Sequence, residues 1–256
     1  MDISQIIGDS FEYAKKLFSV LGKLVILVIL NIVPIVNLIV VGYQTRVVKG
    51  TPTSKDPPPL GGYGDLFIQG LKVAIAIFLY MLVPIVLIVL GAFGFILRTI
   101  GIHILFPMAM GIGLLALGIL FAFCIGIIAA MAIVHMVKNN SFGKAFAVGE
   151  ILQIIGKIGW GKYIIWLIVT FVISLAVGAL SSIPLIGWIL SLIVSPVLGV
   201  FTMRSAALIY SEAVPAAAAP PAPPPVGVAS TVKFCASCGA QMSADAAFCP
   251  NCGQKQ

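Results

Sequence analysis

Four stretches of the chain are long, strongly apolar and free of Asp, Glu, Lys and Arg, and they restrict the possible folds more than any other feature. They cover residues 73–97, 104–137, 163–180 and 183–203. A helix of about 20 apolar residues is long enough to cross the roughly 30 Å hydrocarbon core of a bilayer. Only 9% of the residues are charged, against about a quarter in soluble globular domains. The sequence therefore predicts an all-α polytopic membrane protein.

The N-terminal segment, residues 1–20, predicts an amphipathic helix that lies at the membrane interface. Its apolar side chains recur at helical spacing, while Asp9, Glu12, Lys15 and Lys16 occupy the other face. Acidic residues interrupt the segment and no basic region precedes its apolar run, so a cleavable signal peptide is not expected.

Residues 24–41 fit two interpretations, a single span or a helical hairpin. A single span separates the basic residues before it from those after it, which conflicts with the tendency of short cytoplasmic loops to collect Lys and Arg. Pro34 offers a bend, because proline lacks a backbone donor and clashes with the preceding helical turn. In a hairpin, Asn31 and Asn37 either cap the two short arms or line a polar passage.

The same reasoning along the chain predicts about six membrane helices in three hairpins. The second hairpin pairs residues 73–97 with about 107–137 through a tip at 98–103, and the third turns at 181–184. Of the 15 basic residues, Arg98 alone then lies outside. Both termini are therefore predicted to be cytoplasmic. The basic residues on that side are Lys15, Lys16, Lys23, Arg46, Lys49, Lys55, Lys72, Lys138, Lys144, Lys157, Lys162, Arg204, Lys233 and Lys255.

Composition divides the chain into three parts. Residues 1–212 are predicted to form the multi-pass membrane domain, residues 213–232 an Ala/Pro-rich linker, and residues 233–256 a small C-terminal domain. The linker favours extended polyproline geometry of about 3.1 Å per residue. Residues 141–157 form a second amphipathic stretch, which we expect along the cytoplasmic surface.

Four cysteines carry the clearest chemical pattern in the chain. Cys235 and Cys238 form one C-x2-C pair, and Cys249 and Cys252 form another after ten intervening residues. Each pair brings two thiolates of one turn to the same ion, and together they complete a tetrahedral four-sulfur site. Such a site leaves no open coordination position, which indicates a structural ion rather than a catalytic one.

One structural zinc ion is the predicted cofactor, with two disulfides or an iron–sulfur cluster as the alternatives. The tail has too few apolar residues to fold alone, whereas structural zinc supplies roughly 10–16 kcal/mol. Disulfides need an oxidising compartment, which the predicted cytoplasmic location disfavours. Four cysteines alone do not distinguish zinc from iron.

The remaining sequence shows no pairing of a nucleophile with a base, so we expect no enzymatic activity and no catalytic residue. No acidic residue lies within the four apolar stretches, which disfavours ion coupling through carboxylates. His103 and His135 have no carboxylate or cysteine at a useful spacing, so interfacial histidines are favoured over metal ligands. Trp160, Tyr163 and Trp166 stand beside basic residues and predict an interfacial aromatic anchor.

Two resemblances rest on particular motifs. The tail, residues 234–253, resembles the zinc-ribbon family, with every ligand cysteine in place. An uncharacterised prokaryotic membrane family, domain of unknown function 4013, is similar over about residues 10–210. That family carries no assigned activity, so the resemblance implies multi-pass membrane localisation and contributes no site residues. The motifs that carry it are Gly42-Tyr-Gln-Thr-Arg46, the Pro-rich loop that follows, Gly64-Asp-Leu-Phe67, Gly70-Leu-Lys72 and Ile155-Gly-Lys-Ile-Gly-Trp160.

These features favour a non-enzymatic membrane adaptor, in which the ribbon binds a cytoplasmic protein and the helices hold it at the membrane. One alternative is an uncoupled channel or transporter, opened by broken helices at Pro34, Pro84 and Pro184. A lipid-interacting membrane protein is the other alternative. The expected partners are the lipid bilayer and a cytoplasmic protein rather than nucleic acid.

Overall fold

Two units make up the chain in the computed structural model, Met1–Val214 and Pro215–Gln256. The structure describes residues 1–99, 108–184, 186–215, 232–243 and 247–255. Most of the predicted linker, His103 and the predicted tip of the second hairpin beyond residue 99 lie outside the described residues.

Eight α-helices form the described part of the first unit, as the all-α prediction requires. Short 3-10 turns, Phe142–Phe146 and Leu180–Ser182, precede the sixth helix and follow the seventh. In chain order the α-helices are α1 (Ile3–Ser19), α2 (Leu21–Ile32), α3 (Asn37–Gly50), α4 (Tyr63–Thr99), α5 (Met108–Lys138), α6 (Val148–Ile158), α7 (Trp160–Ala179) and α8 (Gly187–Ala213).

Helix α1 packs along α8, the last helix of the unit. It begins at Asp2, whose side chain caps the first turn in a capping box. The Met1 amino group lies 2.6 Å from Glu212, and the Asp9 carboxylate lies 2.9 Å from Arg204. These two contacts make α1 and α8 antiparallel. The helix is amphipathic, as predicted, and its buried face covers another helix.

The ambiguous segment at residues 24–41 forms two helices instead of one span. Helix α2 ends at Ile32, a turn containing Pro34 follows, and α3 begins at Asn37. The two arms have 12 and 14 residues, which correspond to about 18 and 21 Å of helix. Both lengths fall short of the roughly 30 Å hydrocarbon core.

Small residues let α3 and α4 approach very closely. A Cβ added at Gly42 of α3 would lie 1.8 Å from the Leu66 carbonyl oxygen. A Cβ added at Gly70 of α4 would lie 1.8 Å from the Leu38 carbonyl oxygen. Because the earlier residue of α3 meets the later residue of α4, the two helices are antiparallel and their backbones touch.

Helices α4 and α5 form the second predicted hairpin. A Cβ at Gly91 would lie 2.6 Å from the Leu115 amide nitrogen, and one at Gly118 would lie 3.0 Å from the Ile88 amide nitrogen. Pro84 lies inside α4, and the helix continues through it. The expected helix break at Pro84 is therefore wrong, because proline is tolerated within membrane helices when local adjustments satisfy the freed carbonyl.

Four helices in the described part of the chain are long and apolar enough to cross a membrane, which makes this a multi-pass membrane protein. Two of them, α7 and α8, are joined by the turn at residues 180–186, close to the predicted third bend. The four segments are Tyr63–Leu97, Met110–Lys138, Trp160–Ser182 and Gly187–Ala213.

The buried side chains are concentrated in one half of the long helices. They come from residues 66–76 of α4, 131–137 of α5, 163–166 of α7 and 200–210 of α8. We call this the core half and the remainder the outer half. In the outer half most large apolar side chains of α4, α5 and α7 are exposed, as lipid-facing surface would be.

Candidate functional site

The second unit places Cys235 and Cys238 on a turn between two short strands. Strands β1 (Val232–Phe234) and β2 (Gln241–Ser243) pair antiparallel. The Gly239 amide donates to the Cys235 carbonyl at 2.9 Å, which closes the turn. Gly239 has φ +68°, a left-handed conformation that glycine adopts without a steric penalty.

The second cysteine pair lies on a turn of the same design. The Gly253 amide donates to the Cys249 carbonyl at 2.8 Å, and Gly253 has φ +71°. A single antiparallel bridge between Phe248 and Lys255 replaces the pair of strands. The two C-x2-C-G motifs therefore fold alike and present their thiols to one point.

The four sulfur atoms lie within 4.8 Å of one another. Cys235 Sγ lies 3.6 Å from Cys252 Sγ, and Cys238 Sγ lies 3.6 Å from Cys249 Sγ. Four thiolates around one zinc ion, each at about 2.3 Å, stand about 3.8 Å apart, whereas a disulfide joins its sulfurs at about 2.05 Å. The cluster is therefore suited to one metal ion rather than to two disulfides.

Backbone amides favour the thiolate form at both turns. The amides of Cys238 and Ser237 lower the pKa of Cys235 to about 6. The corresponding amides of the second turn lower the pKa of Cys249. Metals bind thiolate rather than thiol, so these amides favour the metal-binding form of Cys235 and Cys249. The pKa of Cys252 is raised instead, because its hydrogen bonds with the other thiols outweigh the one from the Gln254 backbone.

Two phenylalanines occupy matching positions beside the metal ligands. Phe234 precedes Cys235 and is 65% exposed, while Phe248 precedes Cys249 and is 60% exposed. Exposed aromatic side chains are enriched where proteins bind one another. The ribbon thus presents an apolar surface in addition to its cysteine cluster.

In the first unit, Arg204 of α8 is buried and joins three parts of the chain. Its Nε donates to the Asp9 carboxylate at 2.9 Å, and its Nη1 donates to Thr51 Oγ1 at 3.2 Å and to the Ser54 carbonyl at 2.8 Å. The guanidinium also lies 4.4 Å from the ring centroid of Tyr13. Arg204 therefore links α1, α8 and the loop after α3.

His135 of α5 is buried and belongs to a second polar cluster, which the sequence prediction missed. Its Nε2 lies 3.0 Å from the Glu150 carboxylate. Its Nδ1 lies 2.8 Å from the Tyr210 hydroxyl and 3.1 Å from the Asn139 amide nitrogen. Because an amide nitrogen only donates, Nδ1 accepts and Nε2–H donates to the carboxylate. The expectation that His135 has no useful carboxylate partner is wrong, because α6 brings Glu150 back to α5.

Glu150 also pairs with a lysine at the edge of this cluster. Lys144 Nζ lies 2.6 Å from the Glu150 carboxylate. This contact first, and the hydrogen bond from His135 second, lower the pKa of Glu150. The cluster thus connects an ammonium, a carboxylate and an imidazole through hydrogen bonds at the edge of the core, an arrangement that supports a structural role.

Asn31 and Asn37 meet at the bend between α2 and α3. Asn37 donates to the Asn31 side-chain oxygen, and Asn31 donates to Ser195 Oγ of α8 at 2.7 Å. The residue at the N-cap of α3 is Val36, which makes no side-chain cap, so capping of that arm by Asn37 is wrong. Ser195 lies well inside α8 rather than at its end. The bend between α2 and α3 is therefore beside the interior of α8 and does not reach the end of that helix.

The predicted aromatic anchor is wrong for two of its three residues, which are buried. Trp160 is 49% exposed, whereas Tyr163 and Trp166 are 0% and 1% exposed. Tyr163 donates to the Ile127 carbonyl of α5 and stacks on Trp166 at 5.6 Å between ring centroids. Residues three apart share a helix face, and that face of α7 packs into the core instead of the membrane interface.

Two family models match the sequence. A model described as "Protein of unknown function (DUF4013)" matches residues 26–210, and a zinc-ribbon domain model matches residues 234–256. Comparison with curated proteins and with solved structures finds no match. Both resemblances that the sequence motifs indicated are thereby confirmed.

Proposed function

The chain belongs to the DUF4013 family and ends in a zinc-ribbon domain, and we propose that it is a non-enzymatic membrane adaptor. In this role the helical unit is held in the bilayer and the ribbon binds a partner protein. The observation that carries the proposal is the pair of exposed side chains, Phe234 and Phe248. They stand beside a four-thiolate cluster, which is a structural type of metal site.

Zinc is the proposed occupant of the cysteine cluster. The four-thiolate donor set, the two C-x2-C-G turns and the sulfur separations of 3.6 Å support a tetrahedral ion. Metal analysis of the purified protein should give one zinc per chain. Iron in place of zinc, with the visible absorption of an iron–sulfur cluster, would contradict this assignment.

The proposed arrangement in the membrane has six membrane helices and both termini in the cytoplasm. The four long helices cross the bilayer, and the shorter α2 and α3 enter from the cytoplasmic side and return to it. The position of Asn31 beside Ser195, part of the way along α8, supports this partial entry. Labelling of Lys49 and Lys162 from each side of sealed vesicles tests it, since both lysines should react only from the cytoplasmic side.

The adaptor role is tested by comparing the proteins recovered with the full chain and with ribbon variants after cross-linking in cells. Phe234→Ser combined with Phe248→Ser should reduce recovery of the partner at least about tenfold, because aromatic anchors dominate such contacts. The matched control, Gln241→Ser with Gln254→Ser, changes exposed ribbon residues and should recover the same partner. Zinc content should be unchanged in both.

Two outcomes would contradict the adaptor role. The first is an identical set of partners for the full chain and for a chain that lacks residues 232–256. The second is an identical set for the double phenylalanine variant that still holds zinc. The channel alternative relied in part on a helix break at Pro84, but α4 is continuous there. The adaptor proposal predicts no solute flux in reconstituted liposomes.

A further inference from the structure

The helical unit contains a groove of about 790 Å³ between α1, α7 and α8. Ligand sites in proteins have volumes of about 300–1,000 Å³. Side chains such as Phe11 of α1, Ile173 of α7 and Val197 of α8 form its walls. Apart from Ser4 and Lys15, the lining residues are apolar or glycine, so the groove suits a hydrocarbon chain.

Two of the three walls belong to helices that are long enough to cross the membrane. The α7 and α8 walls lie within the segments Trp160–Ser182 and Gly187–Ala213. Apolar cavities do not hold water, and the bilayer around these helices supplies acyl chains. An acyl chain is therefore the expected occupant, because it is present at high concentration in the bilayer and is apolar like the side chains that line the groove.

Lys15 provides a positive charge on the lining of this apolar groove. It is exposed, and among the described residues it makes no hydrogen bond or ion pair. Its neighbour Lys16 is paired with Asp56 at 2.7 Å, so this end of α1 lies beside the polar loop that follows α3. A free ammonium group at this position is complementary to an anionic headgroup.

We propose that the groove binds one acyl chain of an anionic phospholipid, with the headgroup phosphate at Lys15. The apolar walls provide the affinity for the chain, and the ammonium group selects the negative headgroup. The site lies wholly within the helical unit and is independent of the ribbon and of the adaptor role.

Gly8 gives direct experimental access to the groove. It lines the groove, and a Cβ placed on it meets nothing within 4 Å. In Gly8→Leu the new Cβ therefore meets no backbone atom, the side chain takes up part of the groove, and leucine is a better helix former than glycine. Gly22→Leu is the matched control, because Gly22 lies on α2, does not line the groove and has equally open surroundings.

The experiment measures binding of phosphatidylglycerol and phosphatidylcholine to the delipidated full chain in detergent by native mass spectrometry. The wild type should bind one phosphatidylglycerol per chain in preference to phosphatidylcholine. Gly8→Leu should weaken binding of both lipids at least about tenfold, whereas Gly22→Leu should bind as the wild type does. Lys15→Gln should remove the preference for phosphatidylglycerol, and Lys157→Gln, an exposed lysine on α6, should keep it.

Several results would overturn the proposal. If thermal melting shows that Gly8→Leu folds poorly, the lipid preference of Lys15→Gln decides the matter. A well-folded Gly8→Leu that binds both lipids as the wild type does, or a Lys15→Gln that retains the full preference, excludes this site. A lipid-free dimer that Gly8→Leu dissociates would show that a second copy of the chain fills the groove instead.

Discussion

The close contact between α3 and α4 gives the most quantitative prediction. In Gly42→Ala the new Cβ would stand 1.8 Å from the Leu66 carbonyl oxygen, 2.5 Å from its carbonyl carbon and 2.9 Å from its Cα. Real Cβ atoms essentially never come closer than 3.0 Å to another heavy atom. The obstacle is backbone and cannot change rotamer, so the two helices must separate by at least about 1.2 Å.

The magnitude follows from two opposing effects. Overpacking of a tight interface costs about 1–3 kcal/mol, and the rigid backbone places Gly42→Ala at the upper end. Replacing glycine by alanine within a helix stabilises the folded state by about 1 kcal/mol, because alanine has the higher helix propensity. We therefore expect a net loss of about 2 kcal/mol, and the same for Gly70→Ala, whose Cβ would meet the Leu38 carbonyl oxygen.

Thermal unfolding in detergent, followed by tryptophan fluorescence, is the assay. For a unit of this size 1 kcal/mol corresponds to about 2–4 °C in Tm, so Gly42→Ala should lower Tm by about 4–8 °C. Gly22→Ala, with open space around the new Cβ, should leave Tm unchanged or raise it slightly. A Gly42→Ala protein that melts at or above the wild-type temperature would refute the close packing of α3 on α4.

Three further predictions concern the polar and metal clusters. Cys235→Ser should reduce bound zinc from one ion per chain to less than half an ion per chain. The amide signals of the ribbon should also lose their NMR dispersion, because the ribbon core is too small to fold without metal. Arg204→Met should lower the free energy of unfolding by about 2–3 kcal/mol, as measured by thermal unfolding. This loss is smaller than for a fully buried ion pair, because the Asp9 side chain is 40% exposed. Adding Asp9→Asn to the same chain should restore part of the loss. Lys144 lowers the pKa of Glu150 below its ordinary 4.5, so the stability that Glu150 contributes is present above that pH and is lost as the pH falls through the folded pKa. Glu150→Gln should therefore flatten the fall of Tm at pH values below 4.5.

The features that the sequence predicted correctly depend on neighbours along the chain. The bend near Pro34 follows from local backbone chemistry, and the apolar stretches follow from the thickness of a bilayer. The cysteine cluster follows from two spacings, and the left-handed glycines Gly239 and Gly253 complete each turn. In these cases the residues that decide the structure lie within one helix or one turn.

The features that the sequence did not predict depend on distant partners. Asp9 and Arg204 are 195 residues apart, and no periodic pattern connects them. Tyr163 and Trp166 carry the composition of a membrane-interface anchor, yet their helix face packs on α5. His135 acquired its carboxylate partner only because the turn after α5 returns α6 to it.

The antiparallel contact between α1 and α8 has a consequence for biosynthesis. The 195 residues from Asp9 to Arg204 take roughly 10–40 s to translate at about 5–20 residues per second. During that interval the nascent N-terminal helix has been made, but its docking site does not yet exist. Asp9 therefore has no Arg204 to pair with until α8 has been synthesised, and the contact between α1 and α8 is among the last to form.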